Sequence, residues 1–494
     1  MKYIFIVLFA LSFVVFHFFA IENKEFAEKI SGENLYKTVE YLASDELGGR
    51  LAGSAEYNKA ANYAAGIFAE VGLKPYSGDS YLQEFKLEYN HIKGTPELKL
   101  MEDGEVVSEY EIGKDFICRG FTGSGDVISE VVFAGYGISR PDEGYDDYKN
   151  LDVKNKIVMV FKYNPRWKKE GINPGNGYPR EKSRIAREHG AKGILFVSLP
   201  NDKNPQAPIL SVMAGEGQQD EEFPQLHVDL AVADDLFAGS GKTLKELQTL
   251  IDSTKEPASL RLKSEVHIKV DAEYYKNQPT YNVAGIWEGS HPELKDEYVI
   301  IGAHLDHVGR QGDVVFGGAN DNASGSASII ELAKTFGENN IKTDRSIIFV
   351  LFSAEESGLY GAKYFAENLA VDKEKVVGMF NMDCVGHGDA IRLGGGKSAP
   401  ELFEFAKNND NLFVKKMVDN TWYGGGADAQ PFFDLGIPTL YFVTQNSYTH
   451  LHKYTDTPET INRDLHEGIT RLAYLTLCDV VDEQFEGTKI VPKS

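Results

Sequence analysis

Residues Tyr298 to Ala303, Ser346 to Phe352 and Val376 to Met382 form near-continuous apolar runs. They are short for helices and lack the alternation of a half-exposed strand, so they predict strands buried on both faces. Between them the spacing becomes helical. Ile329, Ile330, Leu332, Ala333 and Phe336 mark one buried face within Ser324 to Phe336, and Leu359 to Leu369 predicts a second helix. Strand, helix, strand, helix in this order predicts an α/β fold: three layers, with a mostly parallel central sheet covered by helices.

Upstream the pattern differs. Leu35, Val39 and Leu42 recur at helical spacing after Asn34, and an alanine-rich stretch from Ala60 to Val71 stops at Gly72. A glycine-rich loop, Ser44 to Ser54, lies between them. Alternation from Tyr81 to Tyr89, Glu97 to Met101 and Val106 to Ile112 predicts three strands. From about Val127 to Val270 short apolar pieces dominate, at Val131 to Phe133, Ile157 to Phe161 and Ile194 to Val197. One helix, Glu181 to His189, interrupts a β-rich unit punctuated by glycine and proline. The expected organisation is an N-terminal segment at 1–21, the first part of the main domain at 22–115, a β-rich insert at 116–268 and the rest of the main domain at 269–494.

The chain has 494 residues, and a formal charge of −23 excludes the basic face that nucleic acid requires. Lys2 followed by the apolar run Tyr3 to Ile21 reads as a secretory signal peptide with Ala20 as cleavage site. The alternative is an uncleaved anchor, since Phe18 is bulky where a small residue is usual and the length could span a bilayer. Either reading puts the protein outside the cytosol: secreted or periplasmic, or held at a membrane through residues 3–21. Cys118, Cys384 and Cys478 fit no metal or redox spacing and are expected to be buried free thiols. The acidic stretch Arg140 to Tyr148 lacks calcium-loop spacing and reads as a solvated loop.

The chemistry collects at the ends of the buried strands. The first ends on His304, Asp306 and His307, and the loop before the next helix carries Asp321. The second ends on Glu355 and Glu356, the third on Asp383, and a late loop holds His450 and His452. Imidazole and carboxylate are ligands that zinc accepts. One such residue is commonplace. A set at successive strand ends is not, because ligands of parallel sheets sit beyond the carboxyl ends of the strands.

These segments resemble the co-catalytic dizinc peptidase family that includes bacterial leucyl aminopeptidases, glutamate carboxypeptidase and the transferrin receptor. The matching pieces are GAHLDHVG, GANDNASG, FSAEESGLYG, FNMDCVG and HLHKYTDT, in order across residues 299–457. YLASDELGGRLAGS resembles the start of secreted members, and VVFAGYGI with DVKNKIVMV resembles a protease-associated (PA) domain. The resemblance implies two zinc ions. His304 and Asp383 would bind one, Glu356 and His452 the other, and Asp321 both. Asp306 would orient His304, and Glu355 would be the general base. Adjacent residues in extended backbone point to opposite sides, so the two glutamates can serve different tasks. His450 is a rival to His452, which is preferred for its spacing to Asp456 and Thr457. His307 and His387 are not assigned as ligands. Where many members have Ser-Asp-His, this chain has Ala427, Asp428 and Ala429, and Tyr423 stands near the position of a tyrosine that steadies the substrate carbonyl.

The implied activity is that of an exopeptidase, foremost an aminopeptidase, in which water activated between two zinc ions attacks the peptide bond. Its partners would be peptides or proteins. A carboxypeptidase, a glutaminyl-cyclase-like enzyme and a non-catalytic receptor-like protein remain alternatives on the same scaffold.

Overall fold

The computed structural model describes residues 23–173, 175, 177–212 and 218–493. The apolar segment 3–21 lies outside them. Near the N-terminus are helices α1 (Gly32–Leu42) and α2 (Ala55–Glu70), then the long strand β1 (Leu82–Glu102). The middle of the chain supplies β2 (Phe116–Cys118), β3 (Gly125–Phe133), β4 (Ile157–Phe161), α3 (Pro179–Glu188), β5 (Gly193–Val197) and β6 (Gln225–Val228). A 28-residue strand, β7 (Leu260–Trp287), leads into the rest. There follow β8 (Tyr298–His304), α4 (Gly325–Glu338), β9 (Ser346–Phe352), α5 (Tyr360–Glu367), β10 (Val376–Met382), β11 (Ile391–Gly394), β12 (Thr439–Thr444) and α6 (Arg463–Val481).

The sheet is continuous, in the order β11, β12, β10, β8, β9, β7, β3, β4, β5, β6, β2. Strands β12, β10, β8 and β9 are mutually parallel, and β11 and β7 flank them antiparallel. Their side chains alternate between two cores. Val299, Ile301, Phe349, Leu351, Phe380 and Phe442 pack under α1, α2, α4 and α6. Ile300, Ile348, Val350, Phe352 and Met379 pack under α5 on the other face. This two-sided burial is why the strands read as unbroken apolar runs. Strands β3 to β6 are also parallel and enclose a core of their own, with Phe133, Met159, Leu195 and Leu226.

Several expectations change. The separate strands at 81–89 and 97–101 are one strand, because the β1–β7 ladder continues from Leu82 to Met101 through two register shifts. The boundary expected at 268/269 falls inside β7, whose one end pairs with β3 and whose other end pairs with β9. The middle unit is less purely β than expected, with helices at Leu230–Phe237 and Leu244–Thr254. Arg140 to Tyr148 is not a solvated loop throughout: Asp147 is fully buried and accepts the Tyr136 and Ile138 backbone N–H groups. The three cysteines are buried and free.

Candidate metal centre

Parallel register brings the strand ends to one edge. Ala303 pairs with Leu351 and His304 with Phe352, so the residues that follow β8 and β9 emerge together, beside Asp383 at the end of β10. The loop before α4 bends back over this edge through Gly318. A side chain at that position would meet the Asp321 carbonyl at 2.3 Å and the His307 ring at 2.5 Å, and φ is +60°. Ala354, Cys384 and His452 also adopt left-handed φ values of 58°, 53° and 53°. Such backbone costs about 1–2 kcal/mol per non-glycine residue and gathers where side chains must be aimed.

Two groups of side chains converge, with Asp321 in both. His304 Nε2 lies 3.3 Å from Asp321 Oδ1 and 3.4 Å from Asp383 Oδ1. His452 Nε2 lies 3.2 Å from Asp321 Oδ2 and 2.9 Å from Glu356 Oε2. His307 Nδ1 is 2.9 Å from the other Glu356 oxygen and 3.9 Å from Asp321 Oδ2. The sets His304, Asp321, Asp383 and His307, Asp321, Glu356 each bring their ligand atoms within 4.8 Å of one another. Asp383 Oδ1 is buried and takes no hydrogen bond. Three carboxylates facing one another in a buried site repel unless cations lie between them. The donor set of imidazole and carboxylate suits zinc.

Glu355 and Glu356 are engaged differently, but not through strand alternation: β9 ends at Phe352, and the two glutamates lie in a turn that follows the left-handed Ala354. Both oxygens of Glu356 are engaged by histidines. Among the described residues the Glu355 carboxylate has no hydrogen-bond or ion-pair partner; its backbone is held, the N–H by Asp306 at 3.1 Å and the carbonyl by the N–H groups of Gly358 and Leu359. Their protonation diverges too. Burial lifts the Glu355 carboxyl well above its usual range, and Glu356, Asp428 and Asp383 reinforce this against His304. Burial opposes ionising Glu356, but His452 and His307 outweigh it and hold the group down at about 2. Burial likewise works against protonating His304 and His452, yet the surrounding carboxylates raise both.

Supporting residues fix the cluster. His304 Nδ1 lies 3.1 Å from the Asp306 backbone carbonyl and 3.8 Å from its carboxylate. The Asp306 carboxylate instead accepts the backbone N–H groups of Glu355 and Glu356 and so sets the turn that separates them. Asp456 accepts the N–H groups of Asn320 and Asp321 at 2.9 and 3.0 Å. Tyr441 donates to Asp383 Oδ2 at 2.7 Å. Arg50 is wholly buried and donates to the carbonyls of Leu42, Leu305, Gly317 and Gly318. It thereby ties the glycine-rich loop to both ligand-bearing segments.

Other histidines and tyrosines sort differently. His450 contacts Thr455 and packs on His387, whose Nδ1 donates to the Thr460 carbonyl. Tyr423 sits edge-on against Phe433 at 5.6 Å. Sequence reasoning set His307 aside, passed over Tyr441, and saw Arg50 only within a resembling loop. Asp428 is fully buried with neither oxygen partnered. Burial and the carboxylates Asp306, Asp383 and Glu356 raise it against His304, so it belongs to the same electrostatic cluster. The signal for His307 was its place three residues after His304. Tyr441, inside an apolar strand, offered none.

The chain is similar to known proteins over most of its length. Residues 282–477 match the model of peptidase family M28 and residues 124–236 that of the PA domain. Aminopeptidase YwaD of Bacillus subtilis (strain 168) is 24% identical over 459 residues, covering 90% of this chain and 82% of that protein. A glutamate carboxypeptidase 2 homolog of Caenorhabditis elegans is 24% identical over 443 residues, and the chain spans 54% of its length. Among solved structures, the aminopeptidase from Aneurinibacillus sp. strain AM-1 shares the fold with a TM-score of 0.64 at 21% identity, covering 96% of this chain and 98% of its own. Family-model match and fold agree on a peptidase family M28 region at residues 282–477 and a PA domain at residues 124–236.

Proposed function

We propose that the protein is a zinc-dependent aminopeptidase that releases N-terminal residues from peptides. His304 and Asp383 would hold one zinc ion, Glu356 and His452 a second, with Asp321 shared. Bound zinc would acidify water and polarise the carbonyl of the scissile bond. The chain's own contribution lies in two carboxylates with separate tasks. Glu356, pinned between His307 and His452, stays ionised as a ligand. Glu355, whose carboxylate has no partner among the described residues, would take a proton from the attacking water and deliver it to the departing amine. Such transfer is worth about 10²–10⁴-fold. Tyr441 keeps Asp383 aimed inward, and Asp306 holds the turn that points the two glutamates apart.

The observation that carries this reading is that divergence. Glu356 has both oxygens against histidines, whereas the adjacent Glu355 carboxylate has no partner among the described residues, the arrangement expected of a ligand beside a base. The relatives named as aminopeptidases support the bond and the end attacked. Residues 1–21 would direct export, which suits an enzyme acting on external peptides.

The test is a peptide library digested by the purified protein and read by mass spectrometry, before and after chelation. The expected result is stepwise loss from the N-terminus, abolished by chelator and restored by zinc at two equivalents per chain. Loss from the C-terminus, or full activity without metal, would overturn it.

A further inference from the structure

Beside the cluster lies an open cavity of about 620 Å³, walled by Arg392, Trp422, Tyr441, Val443 and Tyr448. It meets the metal centre through Tyr441, the residue that donates to Asp383. Its chemistry is unlike the rest of the protein. The chain has 74 acidic and 51 basic residues, yet no carboxylate lines this wall and Arg392 is its one charged group.

Arg392 is built into place. Its guanidinium stacks 4.9 Å over the Trp422 ring, and Trp422 in turn meets Tyr441 edge-on at 5.8 Å. The indole is anchored by its N–H on the Gly425 carbonyl at 3.1 Å. It can lie there because residue 394, two along the same strand, is glycine: a Cβ would stand 2.0 Å from the ring. Arg392 Nε is buried without a hydrogen-bond partner, and among the described residues Arg392 has no ion pair. A stacked guanidinium with unused donors in a pocket without acids is a carboxylate receptor, because its planar fork matches that anion.

We propose that Arg392 determines specificity by taking a carboxylate of the substrate, the side chain of an N-terminal Asp or Glu. This rests on the reading of the adjoining cluster as a peptidase centre. Trp422, Tyr441 and Tyr448 give the pocket apolar walls for the methylenes that precede the acid. The same chemistry could be met by the free C-terminal carboxylate of a short peptide, and the experiment separates the two.

The zinc-loaded full chain is given matched peptide amides beginning with Glu or Gln and with Asp or Asn, and Leu-initiated tripeptides with free or amidated C-termini. Ratios of kcat/KM within each variant cancel any general loss of activity. The Glu:Gln ratio is expected to fall about 10–100-fold in Arg392→Gln, the worth of one hydrogen bond to a charged group, and to recover in part in Arg392→Lys. A fall in the free:amide ratio instead would assign the receptor to the C-terminal carboxylate. A separate arm titrates free glutamate and glutamine while Trp422 emission is followed against a Trp422→Phe control. It reports on the receptor even if no peptide is cut, so failure of the peptidase reading stays distinguishable. Ratios unchanged within twofold by Arg392→Gln, together with equal responses to glutamate and glutamine, would overturn the proposal.

Discussion

Arg50 gives the sharpest energetic test. The perturbation is Arg50→Met, which keeps most of the volume and removes the guanidinium. Four backbone carbonyls lose their donor, those of Leu305 and Gly317 at 2.8 and 2.7 Å, Gly318 at 3.0 Å, and Leu42. Each hydrogen bond to a charged group is worth about 1.5–3 kcal/mol, and orphaned buried carbonyls add a desolvation cost. Against this stands the relief of burying a cation. Burial lowers the Arg50 pKa to about 10, while Asp306, Asp456, Asp321 and Glu356 resist the shift, so the group is charged at neutral pH. Four bonds at the low end give about 6 kcal/mol. Allowing for the removed burial penalty, about 4–6 kcal/mol remains, at the top of the range for single substitutions.

The assay is denaturant unfolding of wild type, Arg50→Met and Arg50→Lys, each with excess zinc and with chelator. Metal bound only by the folded state adds stability as RT ln(1 + [L]/Kd). Because the Arg50 charge is felt by Asp321 and Glu356, its loss should cost more in the metal-free protein than in the loaded one. Lysine restores charge but not the four-way fork and should rescue only in part. A loss under about 1 kcal/mol in Arg50→Met, or full rescue by lysine, would refute the reasoning.

The other predictions concern the cluster and its surroundings. Glu355→Gln should lower kcat by about 10²–10⁴-fold while metal analysis still finds two zinc ions per chain; near-normal turnover removes the base from Glu355. Glu356→Ala should lose one zinc equivalent, whereas His307→Ala should keep both but weaken one site; equal stoichiometric loss in the two would make His307 a ligand. His466 is fully buried, and burial lowers its pKa from 6.5 to about 4 against the help of the Ser324 carbonyl. The unfolded chain therefore takes up a proton near pH 6.5 that the native state refuses until about 4. His466 then costs stability as pH falls through that window, by about 3 kcal/mol at about 1.4 kcal/mol per unit. The stability difference between wild type and His466→Gln, measured at pH 7 and pH 4, should change by that amount. A flat difference refutes it.

The catalytic half was legible because its physics is local. A strand buried on both faces must be apolar throughout, so β9 and β10 were delimited to the residue. Their polar ends then stood out against apolar runs. The ladder of β1 and β7 was not legible, since a strand that crosses between two cores changes its exposure pattern midway. Its two halves read as separate elements. Long-range partners were equally silent. Arg50 acts on carbonyls 255 to 268 residues away, and backbone carbonyls leave no mark in a sequence. Asp306 illustrates the limit within a motif: its place beside His304 was legible, but not that its carboxylate holds the Glu355 and Glu356 N–H groups. Arg392 shows the same limit at the pocket. It faces Val443 across an edge strand, and only the pairing of β11 with β12 brings it to the wall that Tyr441 shares.

The PA unit bears on the metal centre through this same architecture. Leu210 and Val212 from that unit, with Ile117 just before it, pack with Val308, next to His307, and with Phe316, ahead of the loop that carries Asp321. The Leu210 N–H donates to the His452 carbonyl at 3.1 Å. His452 holds left-handed backbone, and its ring meets the strand-end residues through Glu356 at 2.9 Å and Asp321 at 3.2 Å. The other candidate ligands stand at strand ends or on the loop that Asp456 and Arg50 clamp. His452 stands on a late loop, and the contact from Leu210 comes from more than 200 residues earlier in the chain. The strands β1 and β7, each running through both cores, make that contact rigid rather than incidental, because moving the PA unit would mean breaking a ladder of backbone hydrogen bonds. The PA unit is therefore part of how the backbone that carries His452, a candidate ligand, is held.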